Sequence, residues 1–299
     1  MEKLSNPGYI KSLMSRHNVR FSKGLGQNFI INPDLCPEIA RLGGADSGVG
    51  ALEIGPGIGV LTVQLARLCA KVVAIEIDRS LIPVLSETMS GFSNIKILSA
   101  DAMKIDLHSL ILNEFAGVDV IVCANLPYYI TSPIIMHLLE SRLPVKSITV
   151  MVQKEAAQRI CAPMPSRLSG AITAAVRYYS NPQLLFEVSR NDFLPSPNVD
   201  SAVIRLDIRS YPPVKVDDEA MFFRVVKGAF AQRRKTALNS LSAHFGIDKR
   251  SFAEIMLKSN IEPQSRAEEF SLENFASIAR ILSSNSPFTI AEDGVSSPQ

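Results

Sequence analysis

Asn125-Leu126-Pro127-Tyr128 follows an apolar run, Val118 to Cys123, and stands 66 residues beyond the last glycine of Gly55-Pro56-Gly57-Ile58-Gly59. These four residue types suit a flat base that carries an amino group. The Asn125 side-chain oxygen accepts from the amine, Pro127 stiffens the turn, and Tyr128 offers a stacking face. A nucleobase amine is a poor nucleophile because its lone pair is delocalised into the ring. Hydrogen bonds from both amine hydrogens, to the Asn125 oxygen and the Leu126 carbonyl, would pyramidalise the nitrogen and aim that lone pair at an electrophilic methyl group. Such a site works by alignment and charge stabilisation and needs no strong base, so a neutral Asn serves. Phe193, in Phe193-Leu194-Pro195-Ser196-Pro197, is the candidate for the opposite face of an extruded base.

The methyl donor would sit at the glycine loop. Leu52-Glu53-Ile54 reads as a strand running into a turn that opens a helix, where Gly55 and Gly57 let a ligand approach the backbone closely. The spacing is G-x-G-x-G, whereas dinucleotide sites usually show G-x-G-x-x-G with amides aimed at a pyrophosphate. A tight structural turn would give the same glycines. Glu76 lies 17 residues beyond Gly59, at the tip of the next strand, where its carboxylate can accept from both ribose hydroxyls of S-adenosylmethionine or of NAD. Asp101-Ala102 follows the third strand and is placed to accept from an adenine amino group, and Gly24 to Phe29, with Gln27 and Asn28, would wrap over the cofactor.

Positioning these residues takes a parallel sheet. Ala51 to Ile54, Val72 to Ile77, Ile95 to Leu98, Val118 to Cys123 and Ser147 to Val152 read as strands, separated by amphipathic stretches such as Leu61 to Leu68, Leu81 to Thr88 and Pro133 to Glu140. Leu184 to Val188 and Ala202 to Ile208 would complete the sheet as an antiparallel hairpin. Tyr211-Pro212-Pro213 breaks the pattern, and Glu219 to Phe230, Arg234 to Ala243, Phe252 to Ser259 and Leu272 to Leu282 are helical in period. The expectation is an α/β catalytic domain over 1–209, an all-helical domain over 210–282, and a disordered tail over 283–299, rich in Ser, Pro and acid.

A chain of 299 residues with 46% hydrophobic content buries a substantial core, and its net charge is only +2. The charge is unevenly spread: residues 141–180 carry six basic side chains against one acidic, and 224–250 carry seven against one. Such a basic face suits a polyanion, with Arg233-Arg234-Lys235-Thr236 as a charge cluster at a helix start for phosphate contact. The four cysteines and four histidines show no metal-ligand spacing, so no metal is expected and the thiols read as reduced. No apolar run reaches the length of a membrane span, and a soluble, cytoplasmic monomer is expected.

The chain resembles the rRNA adenine N6-dimethyltransferases. The resemblance is carried by Phe21 to Phe29, Leu52 to Gly59, Glu76, Asp101-Ala102, Asn125 to Tyr128, Phe193 to Ser201 and Phe230 to Thr236. It implies a Rossmann-like class I methyltransferase fold, a mostly parallel seven-stranded sheet with an antiparallel end hairpin, followed by a small helical RNA-binding domain. It also implies S-adenosyl-L-methionine as cofactor, lined by Asn28, Ile30, Gly55, Glu76, Asp101 and Asn125. The implied reaction is dimethylation of two adjacent adenines in the loop of the 3′-terminal hairpin of 16S rRNA, late in assembly of the pre-30S small subunit. Two positions depart from the family pattern: Tyr129 stands where Asn is frequent, and Ile30 where Leu is usual. The other readings that the residues leave open are a large-subunit (23S) rRNA adenine methyltransferase of the resistance type, an NAD oxidoreductase and a non-catalytic assembly factor.

Overall fold

The computed structural model describes residues 4–20 and 26–284. Phe21 to Leu25, part of the N-terminal motif, and the tail from residue 285 lie outside the described residues; Ser283 and Ser284, expected in that tail, instead close the helix Leu272–Ser284.

The strands are β1 (Phe29–Ile30), β2 (Val49–Ile54), β3 (Lys71–Glu76), β4 (Ile95–Ser99), β5 (Asp119–Asn125), β6 (Ser147–Gln153), β7 (Ser180–Val188), β8 (Phe193–Leu194) and β9 (Ser201–Ile208). Seven of them form one sheet in the order β4-β3-β2-β5-β6-β9-β7. The pairs from β4 to β6 are parallel, and β9 runs antiparallel to both β6 and β7. This is the α/β architecture expected. Every residue of β2 is buried, as a central parallel strand covered on both faces requires. β7 begins at Ser180, four residues before the apolar run, and contains Pro182. A proline cannot donate to a ladder, and β7 is tolerant of it because it forms the sheet edge.

Two features were not expected. The helix Pro7–Arg16 is started by Asn6, whose side chain accepts from the backbone N–H groups of Gly8 and Tyr9, with Pro7 in the first turn. It adds Ile10, Leu13 and Met14 to a core cluster that includes Cys36, Ile39, Leu61, Leu65 and the sheet residues Ala51, Val72 and Ile121. The second is a separate two-stranded sheet in which β1 pairs with β8, Ile30 opposite Phe193.

The chain divides into two compact units, Met1–Ala162 with Ala175–Tyr211, and Pro163–Ala174 with Pro212–Gln299. The second therefore takes an excursion from within the first: Ser166 N–H donates to the Glu268 carbonyl at 3.0 Å. It contains the helices Glu219–Phe230, Ala237–Phe245, Lys249–Lys258 and Leu272–Ser284 around Phe222, Phe252, Phe270 and Phe275, which are nearly inaccessible. Arg233, Arg234 and Lys235 do not open a helix as expected; they lie in the exposed turn before Thr236. Thr236 is the N-cap of Ala237–Phe245, and cations just inside that N-terminus would oppose the helix dipole.

Close packing at the start of β2, the end away from Gly55, is specified at Gly50. A Cβ there would lie 2.2 Å from Cδ1 of Phe115, a ring only 3% exposed. Gly50→Ala is expected to lower the unfolding free energy by about 1–3 kcal/mol through overpacking. An unchanged denaturant midpoint would mean that the ring has room to move.

Candidate active site

The parallel register sets the geometry. Ile54, the last residue of β2, is opposite Ile75 of β3 on one side and Ala124 of β5 on the other. The next residues, Gly55, Glu76 and Asn125, therefore leave the sheet at one level, with Glu76 and Asn125 flanking the glycine loop. Strand spacing separates their backbones by roughly 10 Å. The Gly55 N–H still donates to the Ile75 carbonyl at 2.9 Å, and Leu126 N–H to the Met151 carbonyl at 3.2 Å, which anchors both departures. Gly55, Gly57 and Gly59 all have positive φ, between 61° and 91°, which glycine adopts without strain.

Gly55, Gly57, Glu76 and Asn125 line one open cleft, which encloses about 120 Å³ of water-sized free space. The lining holds Gln27, Asn28, Ile30, Gly55, Gly57, Glu76, Asn125, Leu126, Pro127, Tyr128 and Phe193 together. Segment 26–30 crosses from the cofactor side to the tetrad. Gln27 Nε2 donates to Asp78 Oδ2 at 2.8 Å, and Asn125 Nδ2 approaches the Asn28 carbonyl at 3.5 Å. That contact orients the Asn125 amide with Oδ1 as its remaining acceptor. Tyr128 is half-buried, its hydroxyl 2.8 Å from Ser201 Oγ, and Phe193 is brought to the cleft by the pairing of β8 with β1.

Glu76 is buried, yet both its oxygens are occupied: Oε2 accepts from Gly57 N–H at 3.1 Å and Oε1 from Asp78 N–H at 2.8 Å. Burial raises its pKa, against the pull of those backbone donors. Glu53, which the sequence reading did not single out, lines the same cleft from β2, opposite Cys123 of β5. Burial pushes its carboxyl from the ordinary 4.5 up to about 8, and the Glu76 charge adds to the effect. The Thr62 hydroxyl pulls the other way, although neither it nor Glu53 Oε2 has a hydrogen-bond partner of good geometry among the described residues. Its signal was the acid inside an otherwise apolar strand. Cys36 and Cys123 are buried nearby and their thiols are pushed up by burial, which keeps them inert.

Asp101 and Ala102 are not among the lining residues. Asp101 follows β4, where its carboxylate caps its own turn by accepting from Met103 N–H at 3.0 Å and lies 3.5 Å from Lys104 Nζ. Ile77, Leu81 and Tyr129, which line the cleft, were not among the expected site residues. Among the described residues no cluster of His, Cys, Asp or Glu could hold a metal.

The donor set fits one kind of cofactor. A Cβ built on Gly55 meets nothing within 4 Å, so the loop backbone is open to a ligand. The Gly57 amide is spent on Glu76 instead of facing an anion, and two carboxyl groups line the floor. A pyrophosphate would find no free amide at Gly57 and would face the Glu76 carboxylate, whereas a cationic sulfonium compound with a ribose and an apolar-stacked adenine suits Glu76, Ile77 and Leu81. Fold and site together define an S-adenosylmethionine-dependent methyltransferase.

Comparison narrows the class. The chain belongs to the ribosomal RNA adenine dimethylase family, whose model matches residues 18–284. It is 47% identical over 93% of its length to a protein of Geobacillus thermodenitrificans, covering 97% of that protein, and 43% identical over 94% to one of Alkaliphilus oremlandii, covering 99%. Both are named ribosomal RNA small subunit methyltransferase A. Among solved structures, a dimethyladenosine transferase from Plasmodium falciparum superposes with a TM-score of 0.68 at 25% identity, over 83% of this chain and 95% of that one. The 23S rRNA methyltransferase ErmE, at 23% identity and a TM-score of 0.66 over 84% of this chain and 98% of its own, shares the fold.

The buried Glu53 carboxyl ties stability to pH. Because its pKa rises from 4.5 to about 8 on folding, the native state holds a proton that the unfolded chain has lost between those values. Stability contributed by this group is therefore full at low pH and declines as pH climbs through that window. Glu53→Gln, neutral throughout, is expected to flatten the decline by up to about 1.4 kcal/mol per pH unit. Urea denaturation of both proteins across the window checks this; parallel curves would show that the carboxyl is ionised in the fold.

Proposed function

We propose that the chain dimethylates N6 of two adjacent adenines in the loop of the 3′-terminal hairpin of 16S rRNA, late in assembly of the pre-30S subunit, as a cytoplasmic monomer. The observation that carries this reading is the Asn125-Leu126-Pro127-Tyr128 tetrad opening on the same cleft as the glycine loop and Glu76. The relatives named small subunit methyltransferase A support the small subunit over the large. No described helix is long and apolar enough to cross a membrane, in keeping with a ribosomal substrate.

S-adenosylmethionine, when bound, supplies an electrophilic methyl group. Asn28, Ile30, Gly55 and Glu76 would hold it, with Glu76 accepting from the ribose hydroxyls and Gln27 closing segment 26–30 over it. Asp101, with Ala102, would reach the adenine end once its side chain leaves its own turn. The chain's work on the substrate is to extrude an adenine, stack it between Tyr128 and Phe193, and draw both N6 hydrogens to Asn125 Oδ1 and the Leu126 carbonyl. Those two acceptors localise the nitrogen lone pair along the line of transfer. Pro127 fixes the turn that presents that carbonyl. No side-chain base is needed, since the amine proton becomes acidic only as the new bond forms and can pass to water.

Arg233, Arg234 and Lys235 form an exposed basic turn in the second unit, suited to phosphate contact that positions RNA without reading sequence. Replacing all three by Ala is expected to weaken binding of small subunits and reduce the slope of log affinity against log salt by up to about three. Cofactor affinity should be unchanged. Equal loss of cofactor and subunit binding would sink the assignment.

The reading is tested with labelled S-adenosylmethionine and unmethylated small and large subunits in separate reactions. N6,N6-dimethyladenosine confined to the small-subunit 3′ hairpin is the expected product; label in the large subunit would overturn the reading. Asn125→Ala is expected to slow transfer by about 100- to 1000-fold while small-subunit binding persists.

A further inference from the structure

Of the aromatic rings that line the cleft, Tyr129 is the exposed one, and the reaction as described has no use for it. Tyr129 lines the cleft beside Tyr128, yet it is 63% exposed. Tyr128 is the inward ring, half-buried and held by Ser201 Oγ. Both belong to the 3₁₀ turn Tyr128–Ile130, in which successive side chains diverge by about 120°. One ring of the pair therefore faces the pocket and the other its rim. Tyr129 is steadied there: its Cε1 would lie 3.7 Å from a Cβ on Gly26, and Pro127 Cβ only 3.3 Å from the same point. One edge of the ring thus lies near Gly26 while much of it remains in water. A large apolar ring, braced at the mouth of a nucleobase site, is a surface on which a base can stack.

An adenine drawn into the cleft leaves its neighbour in the strand at that mouth. We propose that Tyr129 is the stacking platform for the nucleotide adjacent to the reacting adenine, and so a positioning residue for the RNA. The proposal rests on the reading of the chain as a dimethyltransferase of adjacent adenines. Stacking outside the pocket fixes the backbone on one side of the extruded base and leaves the inner contacts to Asn125 and Tyr128. It tolerates any base, so it contributes affinity and register rather than sequence choice. Where the neighbour is itself the second target, the same contact keeps that adenine at the entrance after the first has been modified.

The test uses the full chain, S-adenosylmethionine, and small subunits reconstituted with 16S RNA that is either intact or abasic at the nucleotide beside one target adenine. Tyr129→Ala is expected to raise KM for intact subunits by roughly 5- to 100-fold, the effect of one lost stacked base, with kcat and cofactor affinity unchanged. Tyr129→Phe, which keeps the ring, should restore the lower KM. The abasic substrate should raise KM for the unsubstituted chain by a similar factor and have no further effect on Tyr129→Ala. If the abasic change costs both proteins equally, or if Tyr129→Ala loses cofactor affinity in step with RNA affinity, the platform assignment falls while the dimethyltransferase reading stands. If the unsubstituted chain transfers nothing to intact small subunits, that reading falls first and the assignment with it.

Discussion

The site depends on the register of three parallel strands. Because Ile54 is level with Ile75 and Ala124, one step beyond the ladder delivers a glycine turn, an acid and an amide to one edge of the sheet. A slip of one residue in either pairing would send Glu76 or Asn125 to the opposite face. Burial of β2 along its whole length is what forbids such a slip, since it would carry apolar side chains out of their layers and Gly50 away from the Phe115 ring. Core packing and catalytic geometry are thus one constraint.

That placement has an electrostatic consequence. Two carboxyl groups, Glu53 and Glu76, are buried beside a loop whose backbone in other nucleotide-binding sheets would serve an anion. Desolvation raises both pKa values, and the Glu76 charge adds to the cost of ionising Glu53. A cationic ligand relieves the strain on the ionised forms, while an anionic one compounds it. The preference for a sulfonium cofactor over a dinucleotide therefore rests on where the charges lie, and the glycine spacing alone is weaker evidence.

Sequence pattern made the sheet and most of the cleft legible because both are periodic: apolar runs of strand length end, as read from the sequence, at Ile54, Ile77 and Cys123, with the chemistry-bearing residues at or just beyond those ends. It was silent where structure has no period. β1 and β8 are two residues each, too short to leave a pattern, and their pairing was invisible although it carries Phe193 to the cleft. The helical period ran through Thr236 without a break, so only the cap identifies Arg233 to Lys235 as a turn. Asn6-Pro7 is a readable helix start, but the helix it opens buries only Ile10, Leu13 and Met14, too few apolar positions to announce a core face. Asp101 occupies a strand tip like Glu76, but a free backbone N–H two residues on captures its side chain, a local competition that spacing cannot reveal.

The β1–β8 pair also explains how two binding events can share one site. Ile30 follows the segment that lies over the cofactor side, and opposite it stands Phe193, one wall of the base pocket. The same segment touches the tetrad through Asn28 and Asn125 and reaches Asp78 through Gln27. Residues 26–30 therefore connect the cofactor side of the cleft to the wall and the amide that face the base. The connection needs no second conformation of the sheet; it follows from one short strand contributing to both halves of the cleft.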